Sequence, residues 1–474
     1  MLTTQDIKEE QNVQRGLSSN LLNPQQWPTW RKVAIISMVS AIGFSMPFSS
    51  SVSSPATLLI MSDFRSHDKV AGDLITSIYV LGTAIGPMIL APASEIWGRN
   101  PIFHICTVTF LFFTLACALS QSMAVLIAFR FLAGCAGAAP LAVGGGTIAD
   151  LVAVEQRGKY IALFSVGAQL GPIMGPVAGG LLTQHLDWRW SFWMVLIIAS
   201  VITLVSFFVM RETHMPTIKR KQFRHTHAST DMAFGESSPQ RTKSQNAKNI
   251  FHAIATPMRM LFTSPITLSL AIFQALVYGY MFLLFVTYPI VFTTYYHFAP
   301  GSVGLVYISL GIGTASAMAF SSWASDKIVI LRAQRANRDP VPEDRLWLML
   351  YGSPLAPAGL ILYGWSAQYH LHWVVPLLGS AITGAGILFA SLPGNMYMID
   401  TFSSHAASAL AAATFLRSIA GGVVPLVGSP MFTALGVGWG SSILAFVALA
   451  MCLIPAFLIY FGQRLRRRSA DREI

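Results

Sequence analysis

Long apolar runs make up most of this chain, and polar residues collect in the short stretches between them. The runs are continuous, whereas the strands of a membrane barrel alternate apolar and polar residues, so the pattern indicates helices. A helix needs about 20 apolar residues to cross a bilayer. We therefore predict an all-α integral membrane protein with twelve transmembrane helices, at about 33–61, 71–92, 101–120, 123–149, 159–182, 190–210, 266–291, 303–323, 346–365, 371–396, 406–428 and 437–462.

Basic residues are distributed unevenly between the two ends of these predicted helices. With both termini placed in the cytoplasm, nearly all of the 31 Lys and Arg residues fall in cytoplasmic tails and loops. Three of them (Arg65, Lys69 and Arg189) fall on the other side, and two (Arg130 and Arg417) fall within helices. Cytoplasmic loops of membrane proteins carry such an excess of Lys and Arg. The distribution predicts a multi-pass protein with both termini in the cytoplasm.

One polar stretch, residues 212–264, is much longer than the other connections and leaves six predicted helices on each side. Secondary transporters are commonly built from two such halves, with the substrate site between them. We predict a cytoplasmic N-terminal tail, a six-helix half, a cytoplasmic central loop, a second six-helix half and a cytoplasmic C-terminal tail, at residues 1–32, 33–211, 212–264, 265–462 and 463–474.

Composition excludes several classes of protein. The 474 residues are 54% hydrophobic and 11% charged, with a mean hydropathy of +0.57, whereas soluble domains are about 25% charged. A soluble globular fold, a disordered chain and a coiled coil are thereby excluded. The net charge of +11 is accounted for by basic loops lying against anionic lipid. We therefore predict contacts with membrane lipid and no nucleic-acid partner.

Catalytic and metal-binding motifs have no counterpart in the sequence. All four cysteines lie in apolar runs, without disulfide or metal-ligand spacing. No nucleophile–base pair, metal cluster or phosphate-binding loop is found. We predict a protein that is not an enzyme and that has no cofactor and no metal.

A short charged turn connects the second and third predicted helices and contains Glu95, Gly98 and Arg99. Gly98 permits a tight reversal, and the two charged residues can pair with helix ends or neighbouring charges, which would latch a gate. The run 91–100 resembles the loop 2–3 motif of the major facilitator superfamily, although it departs from the usual residues at both of its ends. The second half carries only a remnant at residues 325–327, without the Gly-Arg pair.

The fourth predicted helix contains Arg130. An arginine within an apolar helix is energetically expensive and by default marks a functional site facing protein or a water-filled cavity. The alternative is a side chain that extends to the outer membrane interface. The segment resembles the span 4 motif of the superfamily, whose arginine is associated with proton coupling, and the resemblance implies that role for Arg130.

The fifth predicted helix carries a glycine at every fourth position, and prolines follow the middle two. These residues are Gly167, Gly171, Pro172, Gly175, Pro176 and Gly179. Four-residue spacing lines the glycines along one face, where another helix can approach closely, and each proline makes the helix bendable. The run resembles the span 5 antiporter motif of the superfamily, which is typical of exporters that exchange substrate for protons. With further matches such as residues 188–193 at the start of the sixth predicted helix, the chain resembles the twelve-span drug:proton antiporters of fungi, which include multidrug, polyamine and secondary-metabolite exporters.

Proton coupling needs a group that gains and loses a proton, and the sequence leaves that group open. Asp73 lies near the predicted outer end of the second helix, where a half-buried carboxyl can face the outside, and Asp150 lies at the inner end of the fourth. A pocket for amphipathic compounds should be apolar and aromatic with a few polar anchors. We predict that its residues include Gln274, Tyr278, Phe282 and Asn395.

Together these features predict a monomeric secondary transporter that exports small amphipathic organic compounds by proton antiport with alternating access. The plasma membrane is the expected location, with the vacuolar membrane as the alternative. A polyamine exporter remains open, although no acidic cluster in the helices favours a polycation. A nutrient symporter is disfavoured by the Gly-Pro steps of the fifth helix. A transporter-derived receptor is the less expected alternative, because such a protein would be expected to carry a long cytoplasmic signalling tail, and the predicted C-terminal tail, residues 463–474, is short.

Overall fold

The computed structural model describes residues 23–152, 156–220, 257–339, 341–402 and 406–470. Every regular element within these ranges is helical. Most of the predicted central loop, residues 221–256, lies outside the described residues, as do residues 1–22 and 471–474 of the two predicted tails.

Ten helical stretches of the described chain are long and apolar enough to cross a membrane. One of them, Ser408–Arg466, has 59 residues, about two crossings, and is divided at Gly436, whose φ of 79° is not helical. Arg157–His185, with 29 residues, is a further helix at the fifth predicted position. The twelve predicted transmembrane helices are thereby confirmed. They are α1 (Thr29–Asp63), α2 (Lys69–Trp97), α3 (Arg99–Ala118), α4 (Met123–Leu151), α5 (Arg157–His185), α6 (Arg189–Val209), α7 (Pro265–Thr294), α8 (Pro300–Arg335), α9 (Pro342–Gln368), α10 (Val374–Phe402), α11 (406–435) and α12 (437–470).

Four of these helices are interrupted where the sequence pattern predicts continuous ones. In α1, a first helix ends at Ser51, a 3-10 turn covers Ser54–Ala56, and a second helix runs over Thr57–Asp63. Pro55 lies in that turn and has no N–H to continue the ladder. α4 is likewise interrupted at Ala138 and α12 at Cys452, and α9 is built from three short pieces.

Helix α6 has one surface that faces the protein and another that faces lipid. Its buried residues recur every three or four positions: Phe192, Val195, Ala199, Thr203 and Ser206. Its most exposed residues follow the same period on the other side: Ile197, Val201, Leu204 and Phe208, which are 58%, 58%, 62% and 78% exposed. Large apolar side chains this exposed suit a lipid environment and not water. The helix therefore packs one stripe against the bundle and presents the other to the bilayer.

The two halves meet along α2 and α11 and along α5 and α8. The Thr83 hydroxyl of α2 lies 3.3 Å from the Ser418 hydroxyl of α11. Where α5 crosses α8, a Cβ atom added to Gly180 would lie 2.9 Å from the Cα atom of Gly304. The turn inside α1 adds a third contact, because the Ser54 hydroxyl lies 2.7 Å from the Tyr307 hydroxyl of α8.

Candidate functional site

The turn between α2 and α3 is held by an ion pair and a hydrogen bond from one arginine. Gly98 has a φ of 102° and a ψ of 160°, a backbone conformation that only glycine adopts readily. Arg99 follows it, with its Nε atom 3.3 Å from the Asp150 carboxylate at the end of α4. Its Nη1 atom donates to the Ser94 hydroxyl at 2.6 Å. The structure therefore brings two predicted residues, Arg99 and Asp150, into direct contact.

Glu212, just after α6, completes this cluster, although the sequence pattern assigns it no part there. Its Oε1 atom accepts hydrogen bonds from the backbone N–H groups of Arg99, Thr213 and His214, at 2.9, 3.1 and 3.0 Å. A carboxylate at the first N–H groups of a helix is favourable, so Glu212 caps α3. The predicted gate residue Glu95 lies outside the cluster: it is exposed and makes no hydrogen bond or ion pair to the described part of the chain.

The second half contains an equivalent cluster that its short sequence remnant conceals. Arg345, at the start of α9, is 2.5 Å from the Asp400 carboxylate through its Nε atom. Its Nη1 atom donates to the Ser325 hydroxyl of α8 at 3.1 Å. These three residues correspond to Arg99, Asp150 and Ser94 of the first half. The arginine is supplied by the far end of the loop, 20 residues after Ser325.

The glycines of α5 form a close seam with α1, within the first half. A Cβ atom at each position would strike a backbone carbonyl of α1, and the carbonyls also recur every four residues: Gly167 meets Ser40, Gly171 meets Phe44, Gly175 meets Phe48, and Gly179 meets Val52. At Gly171 and Gly175 the added atom would lie 2.7 and 2.5 Å from those oxygens. The matched period of four on both helices allows their backbones to touch at four successive positions.

The two prolines of α5 lie where the helix contacts both of its neighbours. The Ser51 hydroxyl of α1 donates to the carbonyl of Pro172 at 2.9 Å. The carbonyl of Pro176 faces Gly304 of α8, where an added Cβ would lie 2.6 Å away. α5 therefore contacts α1 of its own half on one side and α8 of the other half on another.

Arg130 of α4 is 1% exposed, so it does not extend to the membrane interface. Its guanidinium donates to the carbonyls of Ser49 and Ser50, both at 2.7 Å, and to the carbonyl of Ile75 at 2.9 Å. The first two carbonyls lack helical partners because the first part of α1 ends at Ser51. The ring of Tyr79 lies 4.8 Å from the guanidinium. Arg130 thus ties α4 to α1 and α2.

Asp73 of α2 lines a cavity of about 560 Å³ at the predicted outer end of the bundle. The wall comes mainly from α1, α2, α7 and α11. Its polar residues include Lys69 of α2, Ser429 of α11 and His67 of the loop between α1 and α2. Asp73 is 3% exposed, and its Oδ2 atom has no hydrogen-bond partner in the described chain. Asp150 lies at the opposite end of the bundle, so the two predicted coupling carboxylates are far apart.

The four predicted pocket residues do not share one environment, and none of them lines the outer cavity. Gln274 is 1% exposed and donates to the Ser391 carbonyl at 3.4 Å, and Phe282 is 2% exposed. Tyr278 and Asn395 are half-buried. The Tyr278 ring packs 5.2 Å from Phe282 and lies 4.8 Å from the guanidinium of Arg417. Within the described ranges, no group of three His, Cys, Asp or Glu residues is placed to hold a metal ion.

Comparison with known proteins gives one consistent result. A profile of the Major Facilitator Superfamily matches residues 34–425. The chain is 44% identical to the MFS-type transporter atr4 of Stereocaulon alpinum, over 94% of this chain and 80% of that one. It is 43% identical to the efflux pump radE of Floropilus chiversii, over 94% and 82% of the two chains.

Solved structures show the same fold at low sequence identity. A bacterial homologue of the human lysosomal transporter Spinster superposes with a TM-score of 0.65 at 14% identity, over 93% of this chain and 99% of that one. The xylose transporter XylE of E. coli gives 0.64 at 14% identity, over 91% and 98%. The resemblance drawn from the motifs of α2–α3, α4 and α5 is thus confirmed. With its twelve helices in two halves, this multi-pass chain belongs to the Major Facilitator Superfamily and is a transporter of small molecules, not an enzyme.

Proposed function

We propose that the chain exports small amphipathic organic compounds in exchange for protons, by alternating access between its two six-helix halves. The observation that carries the proposal is the seam of α1 and α5. Relatives at 37–44% identity include a protein named as an efflux pump, and others named as MFS-type transporters, which supports the direction of transport.

The position of α5 suggests how the seam serves the transport cycle. One face of α5 is bound to α1, so the two helices move as a unit, while another contacts α8 across the boundary between the halves. Pro172 and Pro176 remove two N–H groups from the helix ladder. A helix that bends there while its seam stays closed can change its contact with α8. Rocking of the halves about this contact would open the two sides of the membrane in turn.

The arginine clusters at the predicted cytoplasmic end would set the inner gate. Each cluster lies within its own half. Arg99 fixes the turn between α2 and α3 in the first half, and Arg345 fixes the loop between α8 and α9 in the second. Glu95 is exposed beside the first cluster, and we propose that it contacts the second half when the inner side closes. Gly98 is required because the turn places its backbone against Glu212.

Asp73 is the proposed proton carrier. It is a buried carboxyl with an unpartnered oxygen, and it lines a cavity at the predicted outer end. Asp150 is already ion-paired to Arg99, so it is the second candidate. Arg130 would act on coupling by holding the carbonyl of Ile75, two residues from Asp73.

The remaining parts of the proposal concern the setting of the protein. The positive charge of the predicted inner loops favours both termini in the cytoplasm, and we propose a monomer in the plasma membrane in contact with anionic lipid. Polar and aromatic groups of α7 and α10, with Tyr278 and Asn395 the accessible ones, would contribute to the substrate pocket.

Everted membrane vesicles test this function. Vesicles acidified inside should take up a neutral amphipathic dye and lose protons as they do so, and a protonophore should abolish both signals. Vesicles from cells without the protein are the control. If the dye instead leaves everted vesicles together with protons, the chain is a symporter and the export proposal is wrong.

A further inference from the structure

Arg417 lies near the middle of α11, and the described part of the chain offers it none of the polar partners that a charged group within the membrane normally has. No hydrogen bond or ion pair joins its guanidinium to any residue in the described ranges, and its Nε atom is buried without a partner. Its one described interaction is with the ring of Tyr278, whose centre is 4.8 Å from the guanidinium carbon. Intramembrane arginines usually pair with carboxylates or carbonyls, because an unpaired charge in a bilayer is costly.

Arg130 provides a comparison, because all three nitrogens of its guanidinium are paired within the protein and it joins three helices. Three backbone carbonyls accept its N–H groups, and the side chain is 1% exposed. Arg417 is only half-buried, and its donors are free of protein acceptors in the part of the chain that the structure describes. The side chain is therefore available to a group that is not part of the protein.

The surroundings of Arg417 place it at the boundary between the two halves. The next residue, Ser418, contacts Thr83 of α2 across that boundary. One turn further along the same face of α11, a Cβ atom added to Gly421 would lie 2.9 Å from Val80 of α2 and 3.0 Å from Tyr278. Substrate sites of transporters built from two halves lie at this boundary, near the middle of the membrane.

We infer that Arg417 binds an anionic oxygen of the transported compound, so that the substrates are amphipathic organic acids. This inference rests on the proposed export function and names its substrate class. A guanidinium presents paired N–H donors that match a carboxylate or another delocalised oxyanion. The guanidinium carbon lies over the ring of Tyr278, which takes none of the N–H donors as a hydrogen-bond acceptor would, so these donors remain for that group. The half-buried ring of Tyr278 then lies beside the apolar part of the substrate, with the buried ring of Phe282 packed behind it, 5.2 Å away.

The test uses a panel of aromatic carboxylates with one to three rings, each matched with its methyl ester, which keeps the ring and removes the charge. Binding to the purified protein in lipid nanodiscs is measured for wild type and for Arg417→Gln. We expect wild type to bind at least one acid about ten- to a hundredfold more tightly than its ester, the range of a charge-assisted hydrogen bond. Arg417→Gln should remove this preference and leave the affinity for the ester unchanged.

A matched control is Arg332→Gln. Arg332 is also half-buried and lies over a ring, with its guanidinium carbon 3.4 Å from the centre of Trp347, but it lies in the last turn of α8. That variant should keep the full preference for acids. If Arg417→Gln does not fold, Arg417→Lys replaces it, and the loss of the forked geometry should reduce the preference about tenfold while ester binding stays constant.

Three results would overturn the inference: no acid bound about tenfold better than its ester by wild type, a preference that persists in Arg417→Gln, or an equal loss of acid and ester binding. The last would make Arg417 a structural residue. Proton-driven uptake of the neutral dye is measured on the same variants. Dye uptake by wild type without any acid preference would overturn the substrate class alone, whereas the absence of proton-driven uptake of both the neutral dye and the acids would overturn the export function.

Discussion

The seam between α1 and α5 predicts that a single methyl group at Gly175 disturbs the protein. In Gly175→Ala, the new Cβ atom would lie 2.5 Å from the carbonyl oxygen of Phe48 and 2.6 Å from the hydroxyl oxygen of Ser51. Ordinary van der Waals contacts of a Cβ atom begin at about 3.4 Å, so the two helices must separate by roughly 1 Å. Forcing extra volume into a packed interface costs about 1–3 kcal/mol.

Gly145→Ala is the matched control, because an added Cβ atom there meets no atom within 4 Å. Both substitutions gain the same helix propensity, since alanine is favoured over glycine by about 0.5–1 kcal/mol within a helix. The difference between them therefore isolates the contact with α1. Gly145→Ala should be as stable as wild type or more so, and Gly175→Ala should be less stable.

The difference in thermal stability is measured by heating both purified variants and quantifying the protein that remains folded by size-exclusion chromatography. The same proteins are assayed for proton-driven dye uptake in everted vesicles. The larger change Gly175→Leu should abolish uptake while the protein still inserts into the membrane, because a side chain would wedge α1 from α5. Equal melting temperatures for the two alanine variants, or normal uptake by a correctly inserted Gly175→Leu, would refute the seam as a close backbone contact needed for transport.

Three further predictions concern single residues. Arg130→Ala should leave three buried carbonyls unpaired, at about 1–3 kcal/mol each, and should therefore lose stability and nearly all transport, whereas Arg130→Lys should keep part of both. Thermal unfolding and dye uptake measure this, and equal, near-normal values for both variants would contradict it. Asp73→Asn should stop gradient-driven efflux but still allow substrate exchange across the membrane. Normal pumping by this variant would show that Asp73 does not carry the proton and would make Asp150 the next candidate. Gly98→Ala should cost about 1–3 kcal/mol, because its φ of 102° suits only glycine and its Cβ atom would strike Glu212; unchanged thermal stability and transport would show that the turn tolerates a side chain.

The fold could be predicted from the sequence to a large extent, because crossing a bilayer imposes a length and an apolar composition that are local properties. The interruptions of α1, α4, α9 and α12 were not predicted, since a proline near a helix end looks the same in sequence as one within a kinked helix. The candidate site was predicted less completely. Arg345 joins its cluster from the far end of a loop, and Glu212 joins the other cluster from the chain just after α6. No spacing between these residues and their partners could indicate this.

The sequence by itself determined the number of crossings, and the period of four along α5 determined which of its faces can approach another helix. The tertiary structure decided that the partner is α1, because a period describes one helix and packing chooses the other. The same division separates Arg130 from Arg417, two arginines that the sequence places alike within apolar helices. Their difference lies in acceptors 55 to 81 residues away for Arg130, and only the folded chain brings such distant groups together or leaves a charge without them.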